Sequence, residues 1–209
     1  MSMPFVIVNQ PTMGVSVLKN CLNINGIKTE AHYPCMPLSV DLRSGMYDWC
    51  GGNVYERIGD YFFCEYLFGP SDAREEKLKE ALYRLGKNGR FPKDIKGIGS
   101  VRDLVEYIPS MREIIKNLMH ELANFISNRK NIKIVCCSAT FVQLYASLAI
   151  LKEIKRLSPD ITTIIGGCEC EGECAKEVVK KFDFIDYVCS GEGEVVLPKL
   201  CNTALSFKI

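Results

Sequence analysis

Four short stretches of this chain gather residues that suit ligand contact: Asn9-Gln10-Pro11-Thr12, Ser138-Ala139-Thr140-Phe141, Gly166-Gly167-Cys168-Glu169-Cys170-Glu171-Gly172 and Ser190-Gly191-Glu192-Gly193-Glu194. They offer small side chains, hydroxyls and accessible backbone amides. Paired glycines let the backbone approach a large flat ligand, and they serve equally to make tight turns. Ser138 and Thr140 can donate hydrogen bonds to a macrocycle edge or a nucleotide tail, or cap the helix that starts near Val142. Glu192 and Glu194 can accept from ligand hydroxyls or amides, or stand solvated at a helix N-terminus.

The remaining polar chemistry is sparser. Cys168, Cys170 and Cys174 make a Cys-x-Cys-x-x-x-Cys spacing. A tetrahedral metal site wants a fourth ligand, so three thiols lining or flanking a crevice are expected and no metal site is assigned. The eleven cysteines run from Cys21 to Cys201, several inside apolar runs where a thiol behaves as a small hydrophobe. They are read as mostly reduced. His120 falls inside a long helical pattern, and His32 near the end of an extended stretch, as structural or surface residues.

The elements that would position these loops follow from periodicity. Phe5 to Val8 reads as an opening buried strand, Val15 to Leu22 as a helix closed by Asn25-Gly26, and Lys28 to Tyr33 as a second strand stopping before Pro34. From about 35 to 131 the pattern changes to a mostly helical insertion, with helices over Asp72 to Leu85 and Val101 to Asn128 and a loop from Gly86 to Gly99. Pro109 should break or kink the longer helix. Alternation then resumes: strands at 132–137, 161–165 and 185–189, and helices at 142–157, 174–181 and 195–204, the last with Pro198 in its first turn. Strands alternating with helices require crossovers, hence an α/β, Rossmann-like, doubly wound and mainly parallel sheet forming one domain of 209 residues with its insertion. In such sheets ligands sit beyond the carboxyl ends of the strands, where the four loops lie.

Charge and length exclude several classes. Lys and Arg number 26 against 25 Asp and Glu, so no basic field exists to hold nucleic acid. The first residues lack a basic n-region and no apolar run approaches the roughly 20 residues of a membrane span, so a cytoplasmic protein is expected. No Gly-x-Gly-x-x-Gly opens the first helix and no Gly-x-x-x-x-Gly-Lys-Ser/Thr loop is present, which argues against a nucleotide-binding enzyme.

Taken together, Cys137 to Ala149 (CSATFVQLYASLA), the GGCECEG loop, Phe184 to Val188 (FIDYV) and SGEGE from Ser190 to Glu194 resemble one family. It is the cobalamin-dependent radical S-adenosylmethionine (radical SAM) proteins of ribosomal peptide (RiPP) maturation, C-methyltransferase type. Ser138, Thr140, Phe141, Gln143, Gly166, Gly167, Glu171 and Gly172 match its Ser-x-Thr-Phe-x-Gln and Gly-Gly-x-x-x-Glu-Gly loops. Pro11 to Val15 and the Leu18 to Gly26 helix are similar too, while 35–130 is weaker, Tyr55 to Gly69 excepted. The resemblance implies cobalamin held by Pro11, Thr12, Ser138, Thr140, Phe141, Gln143, Gly166, Gly167, Glu171, Gly172, Ser190, Gly191 and Glu192, its nucleotide tail toward the Gly166-Gly167 and Ser190 to Glu194 loops.

Two departures qualify it. Asn9 to Gly14 keeps a glycine but lacks the aspartate and histidine of Asp-x-His-x-x-Gly, so no histidine is expected on the lower face of cobalamin. The family's Cys-x-x-x-Cys-x-x-Cys spacing, which holds a 4Fe-4S cluster with an open iron for S-adenosylmethionine, is absent. The chain stops where the family continues into its cluster-binding barrel. The resemblance therefore implies a truncated product, a fragment or a separate cobalamin-binding domain without catalysis of its own, working with a radical-domain partner or a peptide substrate. The competing expectation is an interaction domain with an empty crevice, whose aromatic segment from Tyr47 to Phe68 meets a peptide or partner enzyme. Those aromatics serve equally as the insertion's own core.

Overall fold

The computed structural model of the chain describes residues 1–6, 8–9, 12–92, 95 and 97–206. It is an α/β protein. Three parallel strands, β1 (Ile134–Ser138), β2 (Thr162–Gly166) and β3 (Tyr187–Cys189), lie in the order β1-β2-β3. Register places Cys136 beside Ile164 and Tyr187, and Ser138 beside Gly166 and Cys189, so the last three form one row at the carboxyl edge.

Nine helices surround the sheet among the described residues: α1 (Met13–Ile24), α2 (Cys35–Asp41), α3 (Ser44–Gly52), α4 (Ile58–Phe68), α5 (Asp72–Lys87), α6 (Val101–Ser127), α7 (Leu144–Leu157), α8 (Gly172–Lys181) and α9 (Gly193–Ser206). Strand side chains alternate in direction. Val135, Cys137 and Ile165 accordingly join a core shared with α7 and α8, while Ile134, Cys136, Ile164 and Cys189 join a separate cluster with Leu22 of α1 and Leu197 and Cys201 of α9. No helix is long and apolar enough to cross a membrane among the described residues.

The two opening strands expected from periodicity do not form. Residues 4–6 bend, 8–9 turn, and 28–33 forms no strand, while Ile7 lies outside the described residues. Instead Met1 to Met3 run beside β1. Ser2 bridges Ser138 in parallel, Ser138 N donates to Met1 O at 3.1 Å, and Ser2 N donates to His32 O at 3.1 Å.

The cause is competition for Phe5. Its ring is buried 5.0 Å from Tyr47 and 6.2 Å from Phe63, and the Tyr47 hydroxyl donates to Val6 O at 2.9 Å. A Cβ on Gly59 would sit 2.3 Å from the Phe5 ring, so the insertion keeps a slot open for it. Aromatic burial on this scale outweighs a strand propensity spanning about 1 kcal/mol.

Two prolines also behave differently from expectation. α6 runs through Pro109 unbroken. An interior proline costs about 3 kcal/mol, but seven buried residues on one stripe from Leu104 to Ile126 stabilise by about 1.5–3 kcal/mol for each of the larger ones. A capping box at Ser100 and Asp103 fixes the helix start. Pro198 falls in the second turn of α9 rather than the first, because that helix already begins at Gly193. The Gly45 to Gly69 stretch, within the segment expected to be mostly helical, forms α3 and α4 around the aromatic core.

Candidate functional site

Along β1 burial alternates: Ile134, Cys136 and Ser138 are half-buried, whereas Val135 and Cys137 are buried. The half-buried set faces a cavity of about 590 Å³ between the sheet and helices α1 and α9. Leu18, Leu22, Ile27, Ile134, Ile164 and Leu197 give it an apolar wall, and Lys28, Glu30, His32, Arg129 and Lys133 also line it. Its glycine-bearing rim comes from three consecutive strand ends: Ser138 closing β1, Gly166-Gly167 at the end of β2, and Gly191 with Gly193 after β3. Small-molecule sites occupy about 300–1,000 Å³, so the cavity is of a size to admit one.

The glycine pair also has neighbours to accommodate. A Cβ on Gly166 would lie 2.9 Å from Cys189 Cβ and O, and one on Gly167, at φ +105, would lie 2.3 Å from Ala139 O. Tight packing of three strand ends therefore demands these glycines independently of any ligand. Gly193 is similar, since a Cβ there would lie 2.9 Å from Leu18 Cδ2.

Of the residues expected to bind, the structure brings Ser138, Gly166, Gly167 and Gly191 to this one cavity. Thr12 is the N-cap residue of α1 without a side-chain cap bond, and the residues just after it, Gly14, Val15 and Leu18, line the cavity in its place. Pro11 lies outside the described residues. Glu171 and Gly172 are exposed at the start of α8, and Ser190 and Glu192 are exposed beside the rim without lining it. Glu194, one turn further on, does line it.

Thr140 and Gln143 hold the chain rather than a ligand surface. Gln143 is buried; its Oε1 accepts from Thr140 N at 3.2 Å, and its Nε2 donates to Ser2 Oγ at 3.3 Å and to Met3 O. This amide ties the N-terminal segment to the loop after β1. Phe141 is 71% exposed at φ +45, a conformation that non-glycine residues rarely adopt. An exposed aromatic held in that region beside a strand end is the kind of strain that marks ligand loops.

One cluster escaped the sequence reading. Arg57, from the turn before α4, donates from Nη2 to Glu169 Oε1 at 2.9 Å and from Nε to Asp60, and stands 5.7 Å from the centre of the Tyr145 ring. Glu169 Oε2 in turn accepts from Leu144 N at 3.3 Å. The glycine-rich loop after β2 is thereby anchored to the helical insertion. Asp60 is buried, and its Oδ1 has no partner among the described residues. Burial raises the Asp60 carboxyl to about 6, despite the opposing Arg57 guanidinium, with nearby Glu169 adding to the rise. Arg57 at φ +51 and 112 positions away from Glu169 gave no local signal of this contact.

The histidines and cysteines resolve simply. His32 packs edge-on to Phe125 at 5.6 Å and stands 3.5 Å from Glu30, whose carboxyl is held at about 2 mainly by its paired hydrogen bonds from Arg129. His120 is exposed on α6 beside Asn124. Cys168 and Cys174 are exposed and Cys170 is buried. No group of three or more His, Cys, Asp or Glu gathers to hold a metal ion among the described residues. Within the aromatic segment, Tyr47, Trp49, Phe62 and Phe63 are buried in the insertion's core, and Trp49 Nε1 donates to Arg90 O at 2.9 Å. Tyr55 and Phe68 are exposed.

No family model, no curated protein and no solved structure matches this chain.

Proposed function

We propose that this chain is the cobalamin-binding domain of a radical S-adenosylmethionine peptide-maturation methyltransferase, built on a doubly wound, Rossmann-like sheet and working in the cytoplasm. The observation that carries this reading is the opening of Ser138, Gly166, Gly167 and Gly191, from three separate strand ends, onto a single cavity of about 590 Å³. A volume of that size suits one arm of a large cofactor rather than a whole macrocycle. In this reading Leu18, Leu22, Ile164 and Leu197 would hold the tail of the cofactor, and the rim of Ser138, Gly166, Gly167 and Gly191 would leave room for the macrocycle. Ser138 and Glu194 supply hydrogen-bonding groups where the apolar wall meets solvent.

Bound cobalamin supplies a cobalt that carries a methyl group. The residues of this chain bind and orient it; none is assigned a proton-transfer role. With no Cys-x-x-x-Cys-x-x-Cys spacing in these 209 residues, the 4Fe-4S cluster and S-adenosylmethionine belong to a partner or another segment, as does contact with the peptide substrate.

The test is retention of cofactor. Purified chain incubated with hydroxocobalamin and desalted should keep a corrin absorption band in about equimolar amount. A chain that elutes free of corrin, while a thermal melt shows it folded, contradicts the proposal.

A further inference from the structure

The cavity has a second polar end, opposite the glycine rim. Three elements line it lengthwise from that rim: α9 from Gly193 through Leu197 and Cys201 to Leu205, α1 from Gly14 through Leu18 to Leu22, and β1 from Ser138 back to Ile134. At 1.5 Å per helical residue the α9 stripe runs about 18 Å, and the five residues of β1 span about 13 Å. At the far end the chain that leaves α1 lines the cavity with Ile27 and Lys28, and the chain that enters β1 lines it with Lys133. Hydrogen bonds from both Nη atoms of Arg129 to the Glu30 carboxylate, each 2.7 Å, hold these two segments side by side. The acids among the described lining residues are Glu30, taken up by Arg129, and Glu194, back at the rim. Lys28 and Lys133 are exposed and form no ion pair among the described residues, so this end carries positive charge that the cavity itself does not answer.

We infer that the cavity takes a free medium-chain fatty carboxylate, its alkyl chain lying along β1 between α1 and α9 and its carboxylate at Lys28 and Lys133. The length fits: an extended chain of about ten carbons, with bonds near 1.5 Å, spans about 11 Å, within the roughly 13 Å of β1. Burying the chain against Leu18, Leu22, Ile164 and Leu197 supplies the attraction. The lysines set its direction, because a carboxylate at their exposed end keeps its hydration, whereas one driven in among the leucines loses it. The fatty acid and the tail of a cofactor would use the same apolar wall and so exclude one another. The inference goes beyond the cobalamin reading and stands without it: a fatty carboxylate bound by a chain that retains no corrin leaves it intact.

The full-length chain is titrated calorimetrically with hexanoate, octanoate and decanoate, each below the concentration at which it forms micelles, and with 1-octanol as the neutral counterpart. Binding of about one equivalent is expected, with affinity rising about three- to fourfold for each added methylene. In Lys28→Glu/Lys133→Glu, octanoate should bind at least about tenfold more weakly while 1-octanol binds as in wild type. Raising sodium chloride from about 50 mM to about 500 mM should weaken octanoate but not 1-octanol on the wild-type chain, and this decides the role of the lysines if the double variant does not fold. Absence of saturable decanoate binding, affinity independent of chain length, or equal losses of octanoate and 1-octanol in a folded double variant overturns the inference.

Discussion

The two faces of the sheet are built to different densities. Toward α7 and α8, Val135, Cys137 and Ile165 are at most 6% exposed and merge with the main core. Toward α1 and α9, Ile134, Cys136 and Ser138 of β1 are half-buried over a cavity of about 590 Å³, while Ile164 of β2 is buried there. A sheet that packs tightly on one face and leaves space on the other is set up to admit something on the open side, since interiors are otherwise filled to crystal-like density.

The contrast makes unequal mutational costs the first expectation. Ile165→Ala, on the closed face, should cost about 2–5 kcal/mol, because a void opens among neighbours that cannot collapse. Leu22→Ala, on the open face, should cost only about 1–2 kcal/mol, since Leu22 already borders empty space and mainly transfer free energy is lost. Urea denaturation of both variants measures the difference; equal costs would erase the distinction between faces.

The clamp between the insertion and the glycine-rich loop comes next. Arg57→Ala removes the partner of both Asp60 and Glu169 and should cost about 1–3 kcal/mol at pH 8, less at pH 5, where Asp60 takes up a proton. The sign follows from Asp60 itself. Its carboxyl rises from an ordinary 3.8 to about 6 on folding, so its contribution is fully present below 3.8 and is lost as pH climbs through about 6. Asp60→Asn should therefore flatten the stability profile between about pH 4 and 6, checked by thermal melts across that range. A profile of unchanged slope would remove Asp60 from the account.

The smallest effect belongs to Phe141. With φ +45 and 71% exposure, Phe141→Gly should leave stability unchanged or raise it by up to about 1 kcal/mol, because relieved backbone strain offsets added chain entropy. If the strain serves a ligand, the same variant retains less corrin than wild type. A clear loss of stability would mean that the ring packs against something essential to the fold.

How far the sequence reached depended on where each segment found its partners. Ile134 to Ser138, Thr162 to Gly166 and Tyr187 to Cys189 were legible because continuous apolar runs bounded by Gly, Ser and Pro describe buried parallel strands wherever they pack. Phe5 to Val8 carried the same signal and failed, because a slot at Gly59 and the Tyr47 and Phe63 rings, far along the chain, bind Phe5 more strongly than a sheet edge would. In the site, Ser138, Gly166, Gly167 and Gly191 were legible from their position at strand ends. Gln143 was not, since nothing local reveals that its amide is turned inward onto Ser2 and Met3. Arg57 and Glu169 were invisible for the same reason: an ion pair spanning 112 positions leaves no periodicity.

Everything functional rests on the open face admitting a ligand through its small-residue rim. Equilibrium titration of hydroxocobalamin into wild type and Ser138→Trp, followed by the shift of the corrin spectrum, tests this most directly. Saturable binding by wild type, weakened at least about tenfold in a Ser138→Trp protein of unchanged melting temperature, is the outcome expected. Identical binding by the two proteins, or no binding by either, contradicts it.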